Sequence, residues 1–151
     1  MSTRTLLRAT LAAALVAACA DLTGPAVEFE AAWQRWQRSG VTEYRYDVQI
    51  LCFCGQVTTS PVTVTVSGGQ TVSLVYADSL TPADTAMFRD VRTMDALFAR
   101  LLSILRQKPD RFVATYHPTI GYPITVSVDP EAQLADEEVS YRVTNFSTPS
   151  R

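Results

Sequence analysis

Residues 44–53 read YRYDVQILCF, and their side chains alternate in character from one position to the next. One set of alternate residues is aromatic, aliphatic or small: Tyr44, Tyr46, Val48, Ile50 and Cys52. The residues between them begin with the charged side chains of Arg45 and Asp47. Because successive side chains of a β-strand point to opposite faces of the sheet, this stretch predicts a strand with one face in the core.

The same alternation predicts further strands at 62–66, 72–74, 112–116, 124–128 and 138–146. For the hairpin that joins 62–66 to 72–74, the sequence predicts a three-residue loop of Ser67, Gly68 and Gly69. This loop sets Val64 opposite Val72 on a common apolar face. A two-residue turn would instead place Val66 opposite Thr71 and mismatch the faces.

Two helices interrupt the strands. Phe29, Ala32, Trp33 and Trp36 recur at helical spacing between Pro25 and Gly40, which predicts a helix over 26–38. The second helix follows Thr93, a favourable N-cap residue, and ends before Pro109. Its apolar residues repeat at steps of three and four: Met94, Leu97, Phe98, Leu101, Leu102 and Leu105. The stretch between the third strand and this helix, 78–90, is polar and predicts a loop.

The resulting order is helix, three strands, helix, three strands. It predicts an α+β fold in which two α-β-β-β units form one antiparallel sheet, with the helices packed on one face. The predicted domain is a single globular unit over 26–146, followed by a frayed tail over 147–151.

Charge argues against nucleic-acid binding. The 151 residues include 13 Lys and Arg and 15 Asp and Glu, which gives a formal net charge of −2. Without Arg4 and Arg8 of a removed leader, the balance becomes 11 to 15, a net charge of −4. A nucleic-acid-binding domain needs a basic surface that neutralises phosphates.

The first residues predict export. Arg4 and Arg8 precede an uncharged, mainly apolar run from Ala9 to Ala18, which is too short to span a bilayer and fits a signal peptide over 1–18. The run ends in LVAAC, residues 15–19, which resembles the bacterial lipobox. That resemblance implies cleavage before Cys19, a lipid on its sulfur and a tether over 19–25. The alternative is a secreted protein cut after small residues, with Cys19 incidental.

Cys52 and Cys54 remain as an even pair in an oxidising compartment, and only Phe53 separates them. Residues two apart on a strand lie about 6.6 Å apart, close to the limit for a disulfide, and a bend at Gly55 would bring them nearer. The sequence therefore predicts a disulfide, with two reduced, buried cysteines as the alternative. Two cysteines and the single histidine, His117, make a poor ligand set for a metal.

The other chemistry-bearing residues favour structural interpretations. Five acidic residues lie close together: Asp129, Glu131, Asp136, Glu137 and Glu138. They fit a solvated loop, and they are only weak candidates for a cation site because they do not follow a calcium-loop pattern. His117 precedes Pro118 in a predicted turn. The aromatic residues of the strands, including Phe53, are expected mainly in the core. No catalytic motif occurs, and the sequence predicts no cofactor.

Several short motifs, taken in order, carry a family resemblance: Trp33 and Trp36, Tyr44-Arg45-Tyr46, Cys52-Phe53-Cys54-Gly55, Leu97-Phe98, Tyr116-His117-Pro118, Gly121-Tyr122-Pro123, Asp129 and Ala135-Asp136-Glu137-Glu138. Over about 30–146 the chain resembles an uncharacterised family of bacterial secreted proteins and lipoproteins, a domain of unknown function. Members often carry Asp where His117 stands. The resemblance implies location and fold and no activity.

These observations predict a non-enzymatic, lipid-anchored domain of the bacterial cell envelope, on the outer membrane or cell surface. It is expected to bind an unknown envelope protein or ligand through the sheet face that the helices leave uncovered. One alternative is a thiol redox protein that uses Cys52 and Cys54. Another is an inhibitor of a secreted enzyme, because the predicted layout looks like that of β-lactamase inhibitor proteins.

Overall fold

The computed structural model describes residues 24–55, 59–134 and 136–149. Its elements are α1 (Pro25–Ser39), β1 (Tyr44–Cys52), β2 (Val62–Ser67), β3 (Gln70–Tyr76), α2 (Met94–Arg106), β4 (Arg111–Tyr116), β5 (Pro123–Asp129) and β6 (Val139–Ser147). The predicted signal peptide, and Cys19 with most of its tether, lie outside the described residues. Neither of these two helices is long and apolar enough to cross a membrane.

The strands form one sheet in the order β3-β2-β1-β6-β5-β4, and every neighbouring pair is antiparallel. Each α-β-β-β unit contributes one three-stranded meander, and the two meanders join where β1 pairs with β6. The predicted α+β class and its two-unit arrangement are therefore confirmed.

Both helices pack on the same face of the sheet. Trp36 of α1 contacts Tyr44, with ring centroids 5.3 Å apart. The hydroxyl of Tyr44 accepts the backbone N–H of Met94 at 3.0 Å, which ties β1 to the first turn of α2. The Tyr46 hydroxyl donates to the carbonyl of Val91 at 2.5 Å. Because both buried hydroxyls have hydrogen-bond partners, the aromatic side chains of β1 pack in the core without leaving an unsatisfied polar atom.

Local sequence signals explain the helix bounds. Pro25 occupies the first turn of α1, and Gly40 ends the helix with a φ of 62°. In α2 the Thr93 side chain accepts the N–H of Ala96 at 3.0 Å, as its N-cap position predicted. The 78–90 stretch contains turns without an α-helix, but it also buries Phe88 against the sheet.

The predicted loop of the β2–β3 hairpin is wrong. The structure has a two-residue turn at Gly68 and Gly69, with Ser67 opposite Gln70 and Val66 opposite Thr71. The register then shifts by one residue, so that Val64 faces Leu74, and Val72 is left 62% exposed. A β-bulge at Val72 therefore removes the mismatch that the sequence argument had used against the shorter turn. Both glycines have positive φ, as this tight hairpin turn requires.

Candidate functional site

The face of the sheet opposite the helices, which we call the open face, is polar. It consists of the strand residues that alternate with the core residues, and it is rich in exposed hydroxyl groups: Ser73, Thr115, Thr125, Ser127 and Thr144. Hydroxyls on neighbouring strands bond to one another, as Thr115 and Thr125 do at 2.6 Å. The aromatic core residues of the strands lie on the covered face, so the open face offers mainly hydrogen bonds and charge, with some apolar surface such as Val113, which is 48% exposed.

Asp47 lies near the middle of the open face, and its carboxylate is held by two neighbours. One oxygen accepts the hydroxyl of Thr63 at 2.6 Å, and the other accepts the side-chain amide of Asn145 at 2.6 Å. Asn145 has a φ of 52° next to a register shift between β1 and β6. The bulge brings its amide to Asp47, so this carboxylate is occupied in joining three strands rather than presented to a ligand.

Arg45 of β1 and Arg142 of β6 lie on the same face. Both side chains are exposed, and neither guanidinium makes a hydrogen bond or an ion pair with any residue that the structure describes. Glu43, two residues from Arg45, is already bonded through its carboxylate to the N–H of Gly68 at 2.6 Å and to the Ser67 hydroxyl at 3.1 Å. Arg45 and Arg142 are therefore positive groups of the open face near its centre, and Arg111 of β4 is a third, at its edge.

A shallow cleft of about 280 Å³ lies beside Arg45 at one end of the open face. Glu43, Ser67, Ser147 and Thr148 contribute to its walls. Tyr44, Val66 and Pro149 line it as well, so the cleft combines apolar surface with hydroxyls, one carboxylate and one guanidinium.

Cys52 and Cys54 lie at the other end of β1. Their sulfur atoms are in close contact, and their Cα atoms are 5.2 Å apart. The chain bends after Cys52, so these two Cα atoms are closer than residues two apart on a regular strand. A disulfide between them needs this shorter distance. Phe53 is 82% exposed, so its expected place in the core is wrong. The bend turns its side chain into solvent.

The acidic residues between Asp129 and Glu138 do not come together in the structure. No group of three His, Cys, Asp or Glu side chains converges within the part of the chain that the structure describes. Asp129 ends β5, whereas Glu131, Asp136, Glu137 and Glu138 are exposed along the connection to β6, in which Ala135 is not described.

His117 lies in the β4–β5 connection, at the end of the sheet opposite Cys52. Its Nδ1 accepts the N–H groups of Thr119 at 3.3 Å and Ile120 at 3.2 Å, and its ring stacks on Tyr122 with centroids 4.9 Å apart. These contacts organise the turn. The distance from the cysteines separates this imidazole from the only thiols in the described residues, so the two do not form a nucleophile pair.

Burial raises the pKa of Tyr44 to about 12, and it also raises the pKa of Tyr46 well above its usual value. The same cause raises the pKa of Tyr116 and Tyr122. These hydroxyls stay protonated near neutral pH and do not act as bases, and those of Tyr44 and Tyr46 serve as hydrogen-bonding groups of the core.

Comparison with known proteins gives a family and no function. Residues 28–148 match a family of unknown function, DUF6174. Searches of curated proteins and of solved structures find no match. The match takes in both helices almost completely and all six strands, and therefore the open face and the Cys52–Cys54 pair. Since it covers most of the sequence, the chain belongs to the DUF6174 family of unknown function.

Proposed function

We propose that this protein is a lipid-anchored domain of the bacterial cell envelope that binds a protein partner through its open face, and that this face catalyses no reaction. The observation that carries the proposal is the pair of exposed arginines, Arg45 and Arg142, on an uncovered sheet face rich in hydroxyls. Guanidinium groups form strong, often bidentate hydrogen bonds with carboxylates. The partner is accordingly a protein that presents acidic side chains.

The anchor rests on the lipobox-like sequence that ends at Cys19. Five residues, 20–24, link Cys19 to the start of α1 at Pro25, and a chain spans at most about 3.5 Å per residue. A lipid on Cys19 would therefore hold the domain close to the membrane surface. Several acyl chains make such attachment stable, whereas one chain gives only reversible binding.

Mass spectrometry of the membrane-extracted protein tests the anchor. We expect the mature chain to begin at Cys19 and to carry a mass increase that matches a diacylglyceryl group and an N-acyl chain. A Cys19→Ser variant should lose the lipid and fail to be processed at this site. Recovery of the full chain in the soluble fraction with Met1 attached, or an unmodified Cys19, would contradict the proposal.

The open face supplies the second test. We expect that the double substitution Arg45→Gln and Arg142→Gln, made in the full-length anchored chain, lowers cross-linked partner recovery from intact envelopes at least about tenfold. Removing both guanidinium groups deletes the charge-assisted hydrogen bonds while the sheet keeps its pairing. Quantitative mass spectrometry of the cross-linked proteins measures the ratio between variant and parent.

The matched control is the double substitution Arg89→Gln and Arg92→Gln. It removes the same charge from two exposed arginines in the segment before α2, which packs on the covered face through Phe88. Its partner recovery should equal that of the parent. If both double variants recover the same proteins in the same amounts, the open face is not the binding surface.

A further inference from the structure

We infer that Cys52 and Cys54 form an exchangeable disulfide that accepts electrons from dithiol peptides, with Phe53 as the peptide contact. This inference does not depend on the open face, because the cysteines lie at the end of β1 beyond it. It depends on three features: the close contact of the sulfurs, the unequal exposure of the two cysteines, and the aromatic side chain between them.

The position of the pair in sequence argues against a purely stabilising cross-link. A disulfide stabilises a fold chiefly by restricting the unfolded chain, and the effect grows with the length of the loop that it closes. Here the two cysteines are two positions apart. A loop this short gives one of the smallest stabilisations that a disulfide can supply. Exposed disulfides are also the more easily reduced class, which favours exchange over permanent bonding.

The two cysteines have different surroundings. Cys52 is half-buried in β1, where it pairs with Val139 of β6. Cys54 is exposed and lies beyond the strand, next to Gly55, which has a φ of 84°. An incoming thiolate therefore reaches Cys54 first. When the bond opens, Cys52 stays in the ladder while Cys54 is free to move with the bend, so exchange does not require the sheet to unfold.

The exchange balances with a dithiol peptide as the reductant. The first peptide thiolate attacks Sγ of Cys54, a mixed disulfide forms, and the Cys52–Cys54 bond breaks with its electron pair on Cys52, which takes a proton from water. The second peptide thiolate then attacks the peptide sulfur of the mixed disulfide, and Cys54 leaves as a thiolate and is protonated. The peptide loses two electrons and two protons, and the cysteine pair gains both.

Phe53 gives this site a preference for peptides over small thiols. A phenylalanine that is 82% exposed makes few contacts with its own chain, and it sits between the two reacting residues. An unfolded segment with apolar residues beside its cysteines can pack against this ring, and aromatic side chains are frequent energetic centres of such contacts. The substrate class is therefore an unfolded peptide that carries two cysteines and apolar neighbours.

The test uses the full chain with Cys19→Ser, so that Cys52 and Cys54 are its only cysteines, and a synthetic unstructured peptide with two cysteines flanked by leucines. Mixed without oxygen, the oxidised chain should convert the peptide to its disulfide one for one, and its own pair should become reduced. Mass spectrometry after alkylation measures both partners. Cys52→Ser and Cys54→Ser variants should abolish the conversion while their thermal unfolding stays close to that of the parent.

A Phe53→Ser variant then separates the peptide contact from the exchange itself. It should react about tenfold more slowly with the peptide, the loss expected for one aromatic contact, and at an unchanged rate with glutathione. Equal slowing with both thiols would refute the role of Phe53. A pair that is reduced in protein isolated under non-reducing conditions, or that stays oxidised while the peptide stays reduced, would refute the exchange. Neither result bears on Arg45 or Arg142.

Discussion

Replacement of Gly121 by alanine is expected to lower the free energy of unfolding by about 4 kcal/mol, the sum of backbone strain and overpacking. Gly121 has a φ of 88°, which a residue with a Cβ rarely adopts. An added Cβ would also collide with the carbonyl oxygen of Ala32 and lie 2.9 Å from the backbone nitrogen of Trp36. The β4–β5 connection thus rests directly on the backbone of α1, and the contact leaves no room for a methyl group.

Gly40→Ala is the matched control for this prediction. Gly40 also has a positive φ, 62°, but an added Cβ would meet nothing within 4 Å. It should therefore cost only the backbone strain, about 1 kcal/mol. Urea denaturation of both variants, with linear extrapolation to water, measures the difference. Equal losses would show that the close approach of Gly121 to α1 does not contribute to stability.

The fold could be predicted because each element has a strong local signal. Helical spacing of large apolar residues located both helices, and alternation along 44–52 located the strand that joins the two meanders. The β2–β3 hairpin could not be predicted correctly by the same reasoning. Unbroken alternation along both strands would require the three-residue loop, whereas the structure inserts Val72 as an extra residue and points it into solvent. A bulge changes the face of every later residue and has no clear local signature in this sequence.

The candidate site was less predictable because its geometry is non-local. Asn145 and Asp47 are 98 residues apart and meet only because β6 lies beside β1 and bulges there. Whether an arginine of the open face has a carboxylate partner depends on what the neighbouring carboxylates bind. The Glu43 carboxylate, for example, accepts the N–H of Gly68 in the β2–β3 hairpin. The Cys-Phe-Cys spacing did indicate the cysteine pair, but the bend that exposes Phe53 became visible only in three dimensions.

The second large effect is expected from Phe98→Ala, which should destabilise the fold by about 4 kcal/mol, within the usual range for deleting a buried phenylalanine ring. Phe98 of α2 is 1% exposed. Its ring contacts Phe29 and Trp33 of α1, with centroids 5.6 Å and 4.9 Å away, and stacks on Tyr116 of β4 at 6.4 Å. One side chain thus joins both helices to an edge strand, and its removal leaves a cavity where these three elements meet.

Phe53→Ala removes the same atoms from an exposed position and should change the free energy of unfolding by less than about 0.5 kcal/mol. The comparison tests whether Phe98 stabilises the fold while Phe53 contributes little to the free energy of unfolding. Tryptophan fluorescence during urea unfolding measures both variants, since Trp33 lies against Phe98. A loss below about 1 kcal/mol for Phe98→Ala would contradict its position in the core. A large loss for Phe53→Ala would mean that Phe53 stabilises the fold, and its exposure could then no longer be explained by contact with a peptide.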